Sequence, residues 1–229
     1  MKIIAISDIH GYLPEIKEAF DLLLIAGDIC PVYCHSTAFQ ADWLLSDFLA
    51  WVAQLPFKDE HSKVVVIAGN HDFVLSRDWF NTDSWCEKSN GRLVYLCNEE
   101  YTFKCEGKDY RIYGTPYCKQ FGSWAFMVPL NEIGNYYKDI PGGIDILISH
   151  DAPGFGGFGF IREGDYTGVD ASNPVLAKHI LRAKPKYAFH GHIHSSSHDL
   201  KEVEGIKACC VSIMNEAYEP KYEPLMLDI

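Results

Sequence analysis

Five short apolar runs punctuate the chain, and each stops abruptly on Gly, Asp, Asn, Ser or His. They are Ile3-Ile4-Ala5-Ile6, Leu22-Leu23-Leu24-Ile25-Ala26, Lys63-Val64-Val65-Val66-Ile67-Ala68, residues 144–148, and Tyr187-Ala188-Phe189. Runs of this length and β-branched content predict buried strands, and the polar residues that follow then lie in loops at the strands' carboxyl ends. Open α/β sheets keep their sites at those ends. The five loops begin Asp8-Ile9-His10, Gly27-Asp28, Gly69-Asn70-His71-Asp72, Ser149-His150 and Gly191-His192-Ile193-His194.

Between the strands the apolar spacing changes. Residues 14–20 predict a short helix, and Phe39, Trp43, Leu44, Phe48, Trp51, Val52 and Leu55 fall at helical spacing over 37–55, which predicts a core-facing helix. Residues 73–113 predict a short helix and three short strands, the last two joined into a hairpin by the turn at Glu106-Gly107-Lys108. A second sheet with antiparallel pieces follows. Asn173 and Pro174 read as the cap and first position of a helix running to Arg182, and residues 208–213 and 224–227 as closing strands. Two stretches are irregular: 114–143, with Tyr117, Phe121, Trp124, Phe126, Tyr136 and Tyr137, and the Gly/Phe stretch 154–160. Each reads either as a surface that stacks on a ligand or closes over one, or as an ordinary loop with its own packing.

At 229 residues the chain is long enough to bury a core as one domain, residues 1–229. A formal charge of −11 argues against a surface for long nucleic acid, which would show as a basic stripe. Eight cysteines without any C-x-x-C pair predict free, mostly buried thiols in a reducing compartment. With only Lys2 ahead of the first strand, no secretory leader fits, and no run reaches the ~18 apolar residues of a spanning helix. The expectation is a cytoplasmic protein with no membrane partner.

The donors at the strand ends suit a metal centre. Asp8 and His10, two apart, share a face if strand geometry persists, as do His192 and His194. Asp28, freed by the turn at Gly27, has two oxygens with which to bridge cations, and the Asn70 amide oxygen can ligate without adding charge. His71 reads as a proton donor that Asp72 could orient. His190 is assigned to packing, and His179 and His198 to solvent. The set Asp8, His10, Asp28, Asn70, His150, His192 and His194 exceeds what one ion needs. Two divalent transition-metal ions sharing Asp28 account for it, and manganese, iron, zinc and cobalt all suit these ligands. Such a pair clamps the oxygens of a phosphoryl group.

Those five blocks, in this order, resemble the calcineurin-like metallophosphoesterases. The resemblance implies a four-layer α-β-β-α sandwich, two mixed sheets flanked by helices. It also implies one metal on Asp8, His10, Asp28 and His194, a second on Asp28, Asn70, His150 and His192, and His71 as catalytic histidine with Asp72 as partner. Gly114-Thr115-Pro116-Tyr117, Trp124-Ala125-Phe126 and Pro185-Lys186 are similar to the metallophosphoesterase-domain-containing subgroup, which is associated with phosphodiesters including cyclic nucleotides. The implied activity is hydrolysis of a small phosphoester, foremost a phosphodiester. A phosphomonoesterase, a protein phosphatase and a non-catalytic metal-binding scaffold are the alternatives.

Overall fold

Alternate residues of the first three strands part to opposite faces of one sheet, as the two-residue repeat of a strand dictates. The computed structural model describes residues 1–229. Its strands are β1 (Lys2–Ile6), β2 (Leu22–Ala26), β3 (Lys63–Ile67), β4 (Leu93–Tyr95), β5 (Glu99–Cys105), β6 (Lys108–Thr115), β7 (Cys118–Lys119), β8 (Met127–Val128), β9 (Ile146–Ser149), β10 (Tyr187–His190), β11 (Lys201–Val203), β12 (Ile206–Cys210) and β13 (Leu225–Asp228). The helices are α1 (Thr37–Trp43), α2 (Leu49–Gln54), α3 (Thr82–Glu87), α4 (Gly134–Tyr137) and α5 (Pro174–Ala183).

The first sheet has the order β13-β1-β2-β3-β4, with β13 antiparallel to β1 and the others parallel. The second has the order β11-β12-β10-β9-β6-β5, parallel from β12 to β6 and antiparallel at both edges. Ile3, Ala5, Leu24 and Val65 face the second sheet and meet Ile112, Ile146, Ile148 and Phe189. Ile4, Ile6, Leu23 and Val66 face outward and are covered by Trp43, Leu44, Phe48, Val52 and Trp85. On the far side Leu147, Ala188 and Ala208 of the second sheet are covered by Leu176 and Ile180 of α5. The layers are therefore helix, sheet, sheet, helix, and strands buried on both faces explain the unbroken apolar runs.

Several local expectations hold. The 37–55 helix forms as α1 and α2 joined through a π-helical turn, Leu44–Phe48. The hairpin closes through Glu106 (φ +51°) and Gly107 (φ +77°), a two-residue turn whose twist matches its strands. All eight cysteines are free and five of them are buried.

Residues 14–20 are not helical. A seven-residue segment opening on Pro is too short to nucleate a helix by itself, and its neighbours hold it in an irregular course. Trp51 Nε1 donates to the Pro14 carbonyl at 2.9 Å, and Phe20 is bridged to Phe57. The 154–160 stretch is anchored, since Phe158 is fully buried with its ring 4.7 Å from that of His190. His198 is half-buried rather than solvent-facing, stacked 3.6 Å from Tyr222 and bonded to the Ser212 carbonyl at 2.9 Å. His179 is half-buried as well.

Asn173 caps α5 by accepting from Val175 N and Leu176 N, both at 3.0 Å, while its Nδ2 donates to the buried Asp151 carboxylate at 2.8 Å. Asn173→Ala is expected to lose the cap and one donor to a buried charge, together about 2–4 kcal/mol. Asn173→Ser, which keeps only the cap, should lose roughly half of that. Urea unfolding of the two variants checks both figures.

Candidate active site

The loops after β1, β2, β3, β9 and β10 meet at one end of the two sheets. β1 stops at Ile6, so Asp8 and His10 do not share a face through continued strand geometry. Instead both adopt left-handed backbone angles, φ +53° and +45°, as do Asp28 (φ +52°) and His192 (φ +70°). Such angles cost a residue with a Cβ about 1–3 kcal/mol and persist where the surroundings over-determine them. The amides of Asp8, His10 and Gly11 each donate at 2.9 Å to the carbonyls of Gly27, Asp28 and Ile29, zipping the first two loops together.

All seven expected metal donors converge here. His10 Nε2 lies 3.2 Å from His194 Nε2 and 3.8 Å from Asp28 Oδ2, and His194 Nε2 lies 3.4 Å from Asp8 Oδ1. On the other side of Asp28, His150 Nε2 lies 3.4 Å from Asp28 Oδ2 and 2.9 Å from Asn70 Oδ1. The His192 ring stands 5.0 Å from that of His150, and its amide donates to both Asp8 oxygens at 3.1 Å.

The tautomers show that a cation fits. His194 Nδ1 donates to the Asn215 carbonyl at 2.9 Å, and His150 Nδ1 to the Ala26 carbonyl at 3.0 Å. Each therefore turns the Nε2 lone pair of its neutral ring toward carboxylate oxygens, and such acceptors converge only around a proton or a metal ion. Three donor groups, Asp8-His10-His194, His10-Asp28-His71 and Asp8-Asp28-His150, each gather within 4.8 Å, and Asp28 belongs to the last two.

In a chain stripped of metal by chelator, protons would take the cation's place. Burial opposes charge on His150, but the Asp28 and Asp8 carboxylates outweigh it and lift the imidazole to about 10. His194 is lifted to about 9 by Asp8 against its own burial. At His10 and His192 burial wins, and both are pushed down to about 3. The raised pair contributes stability that is complete below the ordinary histidine value of 6.5 and is lost as pH climbs through 9 to 10. The depressed pair costs stability as pH falls from 6.5 toward 3. The metal-free chain is therefore expected to be most stable near pH 6.5, the ordinary histidine value. Metal uptake at mildly alkaline pH should release protons from His150 and His194. Melting in chelator across the pH range checks the first point, and calorimetry in buffers of different ionisation enthalpy the second. A melting temperature that stays flat above neutrality would contradict the assignment.

His71 is buried beside this centre, with its amide donating to Asp28 Oδ1 at 2.7 Å. The expected pairing of His71 with Asp72 does not form. The Asp72 carboxylate accepts from the amides of Ile29 (3.0 Å), Cys30 (2.8 Å) and Gly69 (2.7 Å), which ties the second loop to the third. Burial and the nearby Asp28 push Asp72 up to about 6 against those amides. Adjacent residues in a turn diverge, so chain proximity alone did not bring the two side chains together.

Other contributors were not legible in the sequence. Gln40 of α1 donates to the His71 carbonyl at 2.8 Å and accepts from Val74 N at 3.0 Å, pinning the third loop. A buried Gln on an amphipathic helix was the only available sign of it. The Asn215 carbonyl had no sign at all, because any residue supplies one. Tyr218 stands with its ring 4.8 Å from His10 and 5.3 Å from His194. A cleft of about 400 Å³ leads from it past Glu216 to residues 163–166. The irregular 114–143 stretch splits: Tyr117 and Tyr136 pack together at 4.1 Å, whereas Trp124 lies 4.5 Å from His71 and Phe121 5.5 Å from His192.

Similarity to known proteins agrees with this geometry. The sequence is 25% identical, across the whole chain, to metallophosphoesterase domain-containing protein 1 of Homo sapiens, of which it covers 71%. It is 31% identical to a UPF0046 protein of Caenorhabditis elegans, again across the whole chain and over 60% of that protein. The fold matches TT1561 of Thermus thermophilus with a TM-score of 0.57, over 93% of this chain and 89% of that one, at 14% identity. For the phosphopantetheinyl hydrolase of Mycobacterium tuberculosis the TM-score is 0.55, over 95% and 90% of the two chains, at 13% identity. At such identities these two structures speak to the fold alone. No helix is long and apolar enough to cross a membrane. The calcineurin-like phosphoesterase family model matches residues 1–196, a span that holds all five loops, and the chain belongs to that family of metal-dependent phosphoester hydrolases.

Proposed function

We propose that this hydrolase is a dinuclear phosphodiesterase of small esters, cyclic nucleotides among them. The observation that carries the reading is the position of the Asp28 carboxylate, flanked by His10 at 3.8 Å and His150 at 3.4 Å, so that one residue serves both donor clusters. Asp8, His10, Asp28 and His194 would hold one divalent ion; Asp28, Asn70, His150 and His192 would hold the other. Manganese, iron, zinc and cobalt all suit this mixture of nitrogen and oxygen donors. The chemistry supplied by such a pair is Lewis-acid polarisation of the phosphoryl oxygens and activation of water.

The chain's own groups do the rest. His71 protonates the leaving oxygen, a contribution of about 10²–10⁴ in rate for a positioned donor. The carboxylates of Asp8 and Asp28, both held ionised below the usual range by the histidines beside them despite burial, fix the imidazoles around the phosphoryl group. Tyr218 and Phe121, exposed at opposite ends of the histidine cluster, offer faces on which a planar base can stack. The net charge of −11 disfavours a long polyanion as substrate.

The test is turnover by metal-reconstituted protein of bis(p-nitrophenyl) phosphate, p-nitrophenyl phosphate and 2′,3′- and 3′,5′-cyclic nucleotides. Preference for the diesters is expected. Preference for the monoester would reassign the chain as a phosphatase. Silence from every sample with two ions bound would leave it a metal-binding scaffold.

A further inference from the structure

A histidine that donates a proton through one ring nitrogen needs a partner on the other to hold its ring and tautomer. Asp72 does not serve His71 in that way, because its carboxylate is taken up by three backbone amides. Facing Nδ1 of His71 is Nε2 of His35, 3.4 Å away, from the loop between β2 and α1. Trp124 lies obliquely against His71 with its ring 4.5 Å away and meets His35 edge-on at 5.2 Å. Phe73 closes the box at 5.3 Å from His35 and 5.8 Å from Trp124.

His35 is otherwise an exposed loop residue outside the donor groups around Asp8 and Asp28. Neither core packing nor ion binding accounts for its place against three rings. We infer that His35 is the positioning residue of His71: engaged at Nδ1 and clamped by Trp124, the His71 ring is left with Nε2 free for the leaving oxygen. Asp72 then acts at a distance, because by binding the amides of Ile29 and Cys30 it fixes the start of the loop that carries His35. This inference rests on the reading of His71 as proton donor.

The experiment compares wild type, His35→Ala, His35→Gln and His71→Ala, each with its metal content measured, on phosphodiesters whose leaving groups range from p-nitrophenolate to simple alkoxides. An alkoxide needs a proton to depart and p-nitrophenolate does not. In His35→Ala, kcat on the alkyl esters is expected to fall about 10–100-fold, part of the ~10²–10⁴ that a positioned donor contributes. KM and the p-nitrophenyl rate should stay within about twofold. His35→Gln, whose amide nitrogen reaches near the place of the imidazole Nε2, should recover most of the loss. The inference is overturned if His35→Ala slows all esters equally, loses metal, or matches wild type while His71→Ala shows the leaving-group dependence. If His71→Ala itself shows none, the proton-donor reading falls and takes the inference with it.

Discussion

Asp28→Asn is expected to lower turnover by at least ~10³-fold and to reduce the bound metal from two ions per chain to one or none. The substitution keeps the size of the side chain and an oxygen for the His71 amide, which Asp28 Oδ1 accepts at 2.7 Å. It removes the negative charge that His10 and His150 both face, at 3.8 and 3.4 Å. If the amide oxygen keeps the His71 bond, the atom that replaces Oδ2, the oxygen facing both histidines, is an NH2 group with no lone pair for a cation. Losing several kcal/mol of charge stabilisation at the phosphoryl group corresponds to about a thousandfold in rate. The metal-free chain should feel the change too. Burial opposes the charge of His150, and Asp28 is the strongest influence that overcomes it. Without that carboxylate His150 loses its proton at a lower pH, and the stability it contributed near neutrality goes with it. Metal analysis, turnover and melting in chelator read the three effects separately. A variant that kept two ions and a tenth of the rate would refute Asp28 as the shared ligand.

Gly69→Ala should also be damaging, although it replaces no donor. A Cβ at this position would fall on the Asp28 carboxylate, 2.5 Å from the Asp28 amide nitrogen and 2.6 Å from His150 Cε1. Neither neighbour is the free end of a flexible chain. Asp28 is held through its carboxylate and its backbone, and His150 is buried with both ring nitrogens engaged. Overpacking of this kind costs about 3 kcal/mol, a fall in Tm of roughly 6–12 °C for a chain of this size. A displacement of about 1 Å at the site costs ~10²-fold in rate. Gly142→Ala is the control, because nothing lies within 4 Å of its Cβ position. It should leave Tm and kcat unchanged, and equal damage from the two variants would mean that the space at Gly69 is not what matters.

Much of the site was legible because its residues stand where apolar runs end. Ile3 to Ile6 and Leu22 to Ala26 admit few arrangements other than buried strands, so Asp8 and Asp28 had to lie at one edge of a sheet. The errors arose where a local rule met a distant partner. The 14–20 segment lost its helix to Trp51 and Phe57, and His198 left solvent for Tyr222. Adjacency in the chain points Asp72 at His71, whereas in the folded chain its carboxylate binds the amides of Ile29 and Cys30.

By itself the sequence determined which chemical groups would be delivered, and to which edge. Apolar periodicity places strands, and the polar residues that follow them must then occupy loops at the strands' ends. Which donor faces which was decided only in the tertiary structure. His10 meets His194 across 184 residues of chain, and His71 meets His35 across 36. These pairs depend on how two sheets stack and how loops cross between them, a relation that no local pattern of residues encodes.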